Sequence, residues 1–433
     1  MTPFDIGLIA LVAICLLVMS GLFVPIALIL CSFVGVWAIK GSPDLAAKML
    51  GLAANDAIQS YFFGVVPLFV LMGFIVAETG MGRDAYDVAA KVFRRLRGGL
   101  GVSTVAANAV FASITGISIA SAAVFTKIAV PEMVRYGYPA RVAAGIVAGS
   151  SILGMLIPPS LLLILYGLLA EQSIGDLFLA GIGPGLLLTV IFGIGVCVMA
   201  KPSWGREGAG VEDDLTLSEL ISKILPIAAL IFLVIGGIYL GFFTPVEAGA
   251  MGAIGALIIG VLKRRLTVQG LWRVMGETGL ITAAICFLII AANMYSRMLA
   301  FSGLPAEFGT FVASNEIQFW AFIALYVLAV ILMGMILDSA SIMLILVPLM
   351  LPVIGPMGID LVWFGIVTVI AVEIGLLTPP FGISVYVIRA TLDDASVSLG
   401  DIFRGAAPFV VMMLIALILV IAFPIIATFP LNR

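Results

Sequence analysis

The chain has 433 residues, of which 63% are hydrophobic and 10% are charged, with a formal net charge of −3 and no histidine. Soluble domains carry about a quarter charged residues. The composition therefore excludes a soluble domain, a disordered chain and, for lack of a basic surface, a nucleic-acid-binding protein. Without histidine the chain cannot hold a Ser-His or Cys-His triad or a histidine-ligated metal site. These properties predict an all-α polytopic membrane protein in a lipid bilayer.

Apolar runs recur along the whole chain. The first two, at 6–20 and 22–39, follow a non-basic N-terminus and are together too long for a signal peptide. They predict two membrane helices with a tight turn near Ser20 and Gly21, and the semi-polar segment 41–62 predicts an interfacial helix. Further runs lie at 64–79, 101–125, 142–170, 177–200, 224–241, 245–262, 278–296, 318–352, 361–388 and 405–428. At about 20 residues per span, the chain has room for roughly a dozen spans.

Two segments are polar enough to leave the bilayer. The segment 80–97 is amphipathic and carries the basic residues Arg83, Lys91, Arg94, Arg95 and Arg97. The segment 201–222 contains prolines, glycines and the acidic residues Glu212, Asp213 and Asp214, and we interpret it as the main surface loop between two halves. The four cysteines stand singly in apolar runs and imply no disulfide framework.

The distribution of lysine and arginine predicts the orientation of the spans, because cytoplasmic loops are enriched in them. We take the segment 80–97 to be cytoplasmic. The basic residues in 127–141 are then on the cytoplasmic side only if the run 101–125 enters the bilayer and returns, and they are outside if that run spans the membrane. Residues 113–121 read SITGISIAS, a polar and glycine-containing break that fits such a return. A second hairpin over 318–352 sorts most remaining basic residues to the same side. We therefore predict two re-entrant helical hairpins.

An internal repeat relates the two halves of the chain. A constant offset superimposes the motif GMLIPP, beginning at Gly154, on GLLTPP, beginning at Gly375. A hairpin with a polar tip precedes each motif, with 118–121 at the first tip and 338–341 at the second. On the predicted orientation the first hairpin opens to the inside and the second to the outside. The repeat is therefore inverted, as is typical of secondary transporters.

A Pro-Pro pair in the middle of an apolar run interrupts a helix, since proline lacks a donor and clashes with the carbonyl one turn earlier. We predict two broken helices, 142–170 and 361–388. Carbonyls freed at such breaks must be buried in protein or line a cavity, and with hydroxyl oxygens they are hard ligands suited to Na⁺. The nearby hydroxyl groups belong to Ser150, Ser151, Ser160, Thr378 and Ser384. The alternative is a kink that serves packing alone.

A few polar residues lie inside the apolar runs, where charge is costly unless it is solvated or paired. Asp338 is a candidate cation ligand or a residue that fixes the hairpin tip, and Glu373 has the same two alternatives. Asn108 and Asn293 are expected to form interhelical hydrogen bonds. Arg297, at the end of a span, is expected to extend towards the membrane surface. An anionic substrate would be favoured at the half-helix N-termini of the two tips.

The paired Pro-Pro motifs with preceding glycine, the serine-rich tips and the two-helix start resemble the large membrane subunit of TRAP (tripartite ATP-independent periplasmic) transporters over nearly the whole chain. The resemblance implies an elevator-type secondary transporter, not an enzyme, in the bacterial inner (cytoplasmic) membrane. It implies Na⁺-coupled uptake of an organic acid, of the C4-dicarboxylate or sugar-acid type, with no cofactor besides the coupling ion. It implies a periplasmic substrate-binding protein and a small four-helix membrane subunit, which we expect as a separate chain.

The resemblance also assigns domains and site residues. It implies that residues 1–97 form N-terminal scaffold helices and an arm, and that residues 201–300 form a loop and further scaffold helices. The first transport repeat is 98–200, with its hairpin at 98–130 and its broken helix at 142–170. The second repeat is 301–433, with its hairpin at 318–352 and its broken helix at 361–388. It implies Na⁺ ligands at Ser118, Ser121, Ser150, Gly154, Pro158, Asp338, Ser339, Ser341, Thr378 and Pro379. Substrate contacts are expected at Ser121, Ser160, Ser341 and Gly375.

Two other functions stay open at this point. Broken helices are also compatible with a channel, or with an ion-coupled anion transporter that needs no binding protein, and full-rate uptake by this chain alone would favour that function. An intramembrane enzyme is disfavoured because histidine and a paired acidic metal motif are absent from the sequence. Product formation without net translocation would favour the enzyme.

Overall fold

The computed structural model describes the chain except for positions 60, 202–203, 205–215, 316–317, 381, 393–396 and 432–433 and the side chain of Phe62. It is 84% helical, and no strand occurs in the described part. Six of the described helices are long and apolar enough to cross a membrane, or seven if one bent pair forms a single span. The predicted all-α polytopic membrane protein is thus confirmed. The acidic part of the predicted surface loop, 212–214, lies outside the described residues.

The first half of the chain contains eleven helices within the described residues. They are α1 (Pro3–Met19), α2 (Val24–Lys40), α3 (Pro43–Gln59), α4 (Val65–Glu78), α5 (Met81–Phe93), α6 (Gly99–Thr115), α7 (Ser118–Arg135), α8 (Ala140–Ser151), α9 (Leu153–Leu156), α10 (Leu161–Ala170) and α11 (Ile174–Met199). The turn predicted near Ser20 separates α1 from α2. Helices α4 and α5 meet at a bend of 64°, where the apolar run gives way to the amphipathic segment.

The second half begins with α12 (Leu217–Ile231), which continues through a π-helical segment (Phe232–Gly236) into α13 (Gly237–Tyr239). The helices that follow are α14 (Pro245–Leu262), α15 (Val268–Ser302), α16 (Leu304–Ser314), α17 (Phe319–Gly334), α18 (Ser339–Ile354), α19 (Leu361–Leu377), α20 (Ile383–Thr391), α21 (Leu399–Ala422) and α22 (Ile425–Thr428). Thr216 and Thr244 begin α12 and α14 with capping boxes, which satisfy backbone donors that lipid cannot.

The two halves pack against each other in a reciprocal pattern. Helix α10, after the first Pro-Pro break, packs on α18 of the second hairpin, while α20, after the second break, packs on α7 of the first hairpin. In the same way α21 packs on α8, and α11 packs on α19. Each contact therefore has a counterpart with the two repeats exchanged, as expected for a repeat related by a two-fold axis.

The other helices form a second packed group, in which α4 lies against α14 and α15, and α2 lies against α15. A buried ion-pair cluster fixes the α4–α5 bend to this group. Asp84, whose side chain is 3% exposed, accepts hydrogen bonds from Lys263 at 3.0 Å and Arg265 at 2.7 Å. Asp87 pairs with Lys223 at 2.6 Å. A carboxylate as buried as Asp84 is stable only with such partners. The division into scaffold and transport domains stays a prediction.

Candidate functional site

The first predicted hairpin is a pair of antiparallel helices joined at a two-residue break. Helix α6 ends at Thr115, Gly116 adopts φ = 64°, and Ile117 is extended before α7 begins. The left-handed backbone favours glycine at this position. The arms lie side by side, since the rings of Phe111 and Phe125 are 5.6 Å apart in an edge-to-face contact. The structure therefore has a helical hairpin at the predicted place, and its re-entry into the bilayer stays a prediction.

The first Pro-Pro break docks directly onto this hairpin tip. The helix stops after Leu156, and the Pro158–Pro159 bond is cis. Ser160 begins α10 as its N-cap, accepting from the Leu163 amide at 3.2 Å, and its hydroxyl donates to the Met155 carbonyl. The Leu161 amide donates to the Gly116 carbonyl at 3.2 Å. One backbone hydrogen bond thus joins the break to the hairpin tip. Both hydrogen bonds of the Ser160 hydroxyl are made within its own segment.

Three of the predicted ligands of the first repeat lie together at this contact. A Cβ on Gly154 would be 3.2 Å from the Ser118 amide nitrogen, so the helix α9 backbone lies against the start of α7. Ser150 is one turn earlier, where its hydroxyl donates to the Ile146 carbonyl at 2.7 Å and accepts from Asn108 Nδ2 at 2.6 Å. The interhelical role predicted for Asn108 is therefore observed.

Two buried oxygen atoms in the first hairpin have no hydrogen-bond partner among the described residues. They are Oδ1 of Asn108 and Oγ of Ser121, and both side chains are fully buried. Buried polar atoms are normally paired. Their lone pairs are therefore open to a ligand that supplies positive charge or a donor.

The second hairpin tip is organised by Asp338, the N-cap of α18. Its carboxylate accepts from the Ala340 amide at 3.1 Å, from the Ser341 amide at 3.2 Å and from the Ser341 hydroxyl. Asp338 and Ser339 are half-buried, whereas Ser341 is buried. Of the two roles predicted for Asp338, fixing the tip is therefore observed, and this role leaves lone pairs on the same carboxylate for a cation.

The second break lies next to this tip. Helix α17 touches α19 through glycine backbones, since a Cβ on Gly375 would be 2.6 Å from Cα of Gly334. The Thr378 hydroxyl donates to the Ile374 carbonyl at 2.7 Å, and the Pro379–Pro380 bond is cis. Pro379 is exposed, unlike its buried counterpart in the first repeat. Phe381, at the end of this motif, lies outside the described residues.

The predicted site residues thus form two clusters, one at each tip and break. The first cluster contains Ser118, Ser121, Ser150, Gly154, Pro158 and Ser160, and the second contains Asp338, Ser339, Ser341, Gly375, Thr378 and Pro379. No hydrogen bond joins the two clusters within the described part of the chain. Packing of α10 on α18 and of α20 on α7 connects them.

The sequence interpretation did not count among the site residues two glycines on which these clusters depend. The Gly116 carbonyl receives the amide at the first break, and Gly334 permits the close approach of α17 to α19. Each stands inside an apolar or hydroxyl-rich run, SITGIS for Gly116 and LMGMI for Gly334. A lone glycine in such a run was the available signal of close backbone contact.

Comparison with known proteins decides the family. The model of the family described as "Tripartite ATP-independent periplasmic transporter, DctM component" matches residues 11–426. The chain belongs to this family. It is 32% identical over 391 residues to the C4-dicarboxylate TRAP transporter large permease protein DctM of Pseudomonas aeruginosa, over 88% of this chain and 89% of that one.

Relatives whose names give other substrates are about as similar to this chain as that DctM protein is. The chain is 31% identical over 391 residues to the sialic acid TRAP transporter large permease protein SiaM of Vibrio cholerae, over 88% and 87% of the two chains. It is 32% identical over 374 residues to the ectoine TRAP transporter large permease protein TeaC of Halomonas elongata, over 84% of each chain. Sequence identity alone therefore does not select one substrate for this DctM-family chain.

Among solved structures, the fold is similar to the crystal structure of the Alcanivorax borkumensis YdaH transporter. The TM-score is 0.58 at 16% identity, over 88% of this chain and 89% of that one. Identity this low shows likeness of fold alone. Together the findings confirm the predicted resemblance and show a multi-pass membrane protein that is a transporter subunit. The TRAP family supports secondary transport of organic acids and implies a periplasmic binding protein and a small subunit.

Proposed function

We propose that this chain is the large permease subunit of a Na⁺-coupled TRAP transporter in the bacterial inner membrane. It takes up an organic acid, of the C4-dicarboxylate or sugar-acid type, that a periplasmic binding protein delivers. A small four-helix membrane subunit, encoded as a separate chain, completes the permease. The observation that carries the proposal is the pairing of each hairpin tip with a Pro-Pro break, which gathers oxygen atoms at a buried point in the first repeat and at a half-buried point in the second.

The coupling ion is Na⁺ because the gathered atoms are carbonyl, hydroxyl and carboxylate oxygens. In the first cluster, the Gly154 backbone lies against the Ser118 amide, Ser150 is one helical turn before Gly154, and Oγ of Ser121 has no partner among the described residues. In the second cluster, Asp338 offers a carboxylate beside the Thr378 break. Oxygen ligands of this kind suit a hard monovalent cation at broken helices.

The substrate anion is attracted by helix N-termini that lack a side-chain cap. Helix α10 is capped by Ser160, and α18 is capped by the carboxylate of Asp338. By contrast, α7 and α20 begin without a side-chain cap hydrogen bond, and these two helices pack against each other. Their unpaired amides carry partial positive charge, so we place the substrate carboxylate near the starts of α7 and α20, close to Ser121.

Transport follows an elevator-type movement of the two repeats that carry the clusters. Because α10 packs on α18 and α20 packs on α7, each repeat holds part of the other, and the two clusters move as one body. The scaffold consists of the α2, α4, α14 and α15 group.

Substitution of Asp338 tests the coupling ion. The chain is reconstituted in proteoliposomes with the small subunit and the loaded binding protein, and uptake is measured against external Na⁺. Asn retains N-cap ability at comparable strength but removes the charge, so Asp338→Asn should raise the Na⁺ concentration for half-maximal uptake by about tenfold, equivalent to about 1.4 kcal/mol of cation binding.

Asp360→Asn is the matched control, because Asp360 is also an N-cap, accepting from the Trp363 amide at 2.7 Å, and lies at the far end of α19 from the break. It should leave the Na⁺ dependence unchanged. An identical Na⁺ activation curve in Asp338→Asn and wild type contradicts the assignment. Uptake without any Na⁺ gradient contradicts the coupling, and full-rate uptake by this chain alone favours a transporter without a binding protein.

A further inference from the structure

A buried carboxyl group in α19 has no role in either cluster. Glu373 is 1% exposed, and neither of its carboxyl oxygens has a hydrogen-bond partner among the described residues. It lies in an apolar helix, six residues before Pro379 in the printed sequence. An ionised carboxylate without a partner is strongly disfavoured in such surroundings, whereas a neutral carboxylic acid is tolerated.

The contacts of α19 fix the side of the helix from which Glu373 projects. Gly365 faces the ring of Tyr166 on α10, the Trp363 indole donates to α21 at 3.0 Å, and Thr368 bonds Tyr326 on α17 at 2.8 Å. At 3.6 residues per turn, Glu373 lies about 80° from the α10 and α21 directions and about 140° from the α17 direction. Helices α9 and α11 both pack on α10 and α19, and α11 also packs on α21, so these two helices occupy the sector that Glu373 faces.

Within the described residues, none of the helices packed against α19 offers Glu373 a charged partner at its depth, and α9 and α22 carry no ionisable side chain. Helix α11 carries Asp176 in its first turn and Cys197 in its last turn. Tyr166 on α10 donates to the Leu361 carbonyl at 2.6 Å, and the Tyr326 hydroxyl on α17 is hydrogen-bonded to the Thr368 hydroxyl. The other ionisable groups on these helices lie near helix ends or the break, namely Asp338 before α18, Tyr386 and Arg389 on α20, and Asp401 and Arg404 on α21.

We propose that Glu373 is a proton-binding site of the membrane-embedded part of this protein. The carboxylate takes one proton from water to become the neutral acid, and it returns that proton to water when it ionises. The neutral acid is the form that fits the site between α19 and the helices α9 and α11. Ionisation leaves an unpaired charge there, which loosens the packing of these helices and stops transport.

Infrared spectroscopy tests the proton site without any transport. A pH titration of the reconstituted wild type should show a carboxylic-acid carbonyl band that disappears as the pH rises. The band should be missing in Glu373→Gln and kept in Glu277→Gln, a control at an exposed glutamate of α15. A wild-type titration that matches that of Glu373→Gln overturns the proposal.

Thermal unfolding covers the case in which one variant folds poorly. Glu373→Gln and the apolar Glu373→Met both lack the ionising group, so their unfolding midpoints should stay level while that of wild type falls with rising pH. A parallel fall in wild type and in whichever variant folds overturns the proposal. Should neither variant fold, disappearance of the wild-type infrared band over that same pH range supports the proposal, and its persistence overturns it.

The transport readout rests on the proposed function. With equal pH on both sides and a fixed Na⁺ gradient, wild-type uptake should fall about tenfold per pH unit above the titration midpoint, whereas Glu373→Gln should be flat. A raised Na⁺ requirement in folded Glu373→Gln makes Glu373 a cation ligand instead and overturns the proposal. If the infrared band titrates but no protein takes up substrate, the proposed function fails and the proton site stands.

Discussion

The glycine contact between α17 and α19 gives the sharpest quantitative test of the second cluster. In Gly375→Ala the new methyl carbon would lie 2.6 Å from Cα of Gly334 and 2.8 Å from the Ile331 carbonyl oxygen. Non-bonded carbon atoms are normally about 3.5–4.0 Å apart. Both obstacles are backbone atoms, which cannot rotate away as a side chain would. The two helices must therefore separate by about 1 Å.

The separation has a cost and a partial compensation. Overpacking of this kind costs about 1–3 kcal/mol, while replacing a helical glycine by alanine returns up to about 1 kcal/mol. We expect a net loss of about 1–2 kcal/mol in the free energy of unfolding. The effect on uptake should be larger than on stability, because Asp338 lies one helical turn after Gly334 and Thr378 three residues after Gly375, and a displacement of about 1 Å disturbs a ligand set.

The assay combines thermal unfolding in detergent with Na⁺-driven uptake in proteoliposomes. Gly279→Ala on α15 is the control, since a Cβ there has no neighbour within 4 Å, and it should unfold at or above the wild-type temperature. Gly154→Ala, with its nearest atoms at 3.2 Å, should be intermediate. The reasoning is refuted if Gly375→Ala unfolds and transports like Gly279→Ala.

Two further predictions concern the ion-pair cluster and the first break. Asp84→Asn should lower the free energy of unfolding by about 2–3 kcal/mol, below the full cost of breaking a buried pair because its cationic partners are partly exposed. Asp87→Asn should cost less than about 1 kcal/mol, and equal losses in denaturant titrations would contradict this. The double variant Pro158→Ala and Pro159→Ala restores helical amides and should abolish uptake while the protein stays folded. Uptake at the wild-type rate in that variant would show that the break is a kink that serves packing alone.

The positions of the helix interruptions could be predicted from the sequence, because proline and glycine act through local backbone geometry. The Pro-Pro pairs at 158–159 and 379–380 interrupt helices at the predicted places, and Gly116 adopts the left-handed conformation in the predicted polar break. The internal repeat agrees with the reciprocal packing of α10 on α18 and α20 on α7, and its inversion in the membrane stays a prediction.

Partners far apart in the chain could not be predicted, because single-sequence patterns report only neighbours within a few turns. Asp84 belongs to a segment noted for its arginines, yet its partner Lys263 is 179 residues away. Arg297, which is expected to extend to the membrane surface, pairs at 2.5 Å with Asp56, 241 residues away in the chain. The unpaired state of Glu373 is equally non-local, since it depends on what α11 and α21 bring beside α19.

The unequal exposure of the two breaks shows how related sequences can build different surroundings. At the first break α11 covers the motif, since a Cβ on Gly181 would be 2.6 Å from the Leu156 carbonyl and 3.6 Å from Pro158. Helix α21 is the counterpart of α11, but its Phe403 ring meets Gly382, beyond the prolines, and Pro379 stays exposed. The connection from the break to the following helix is longer in the second repeat, so the covering helix is shifted along the motif. In the proposed inverted-repeat transporter the two halves take unlike arrangements at any moment, and this difference in connection length would contribute to that asymmetry.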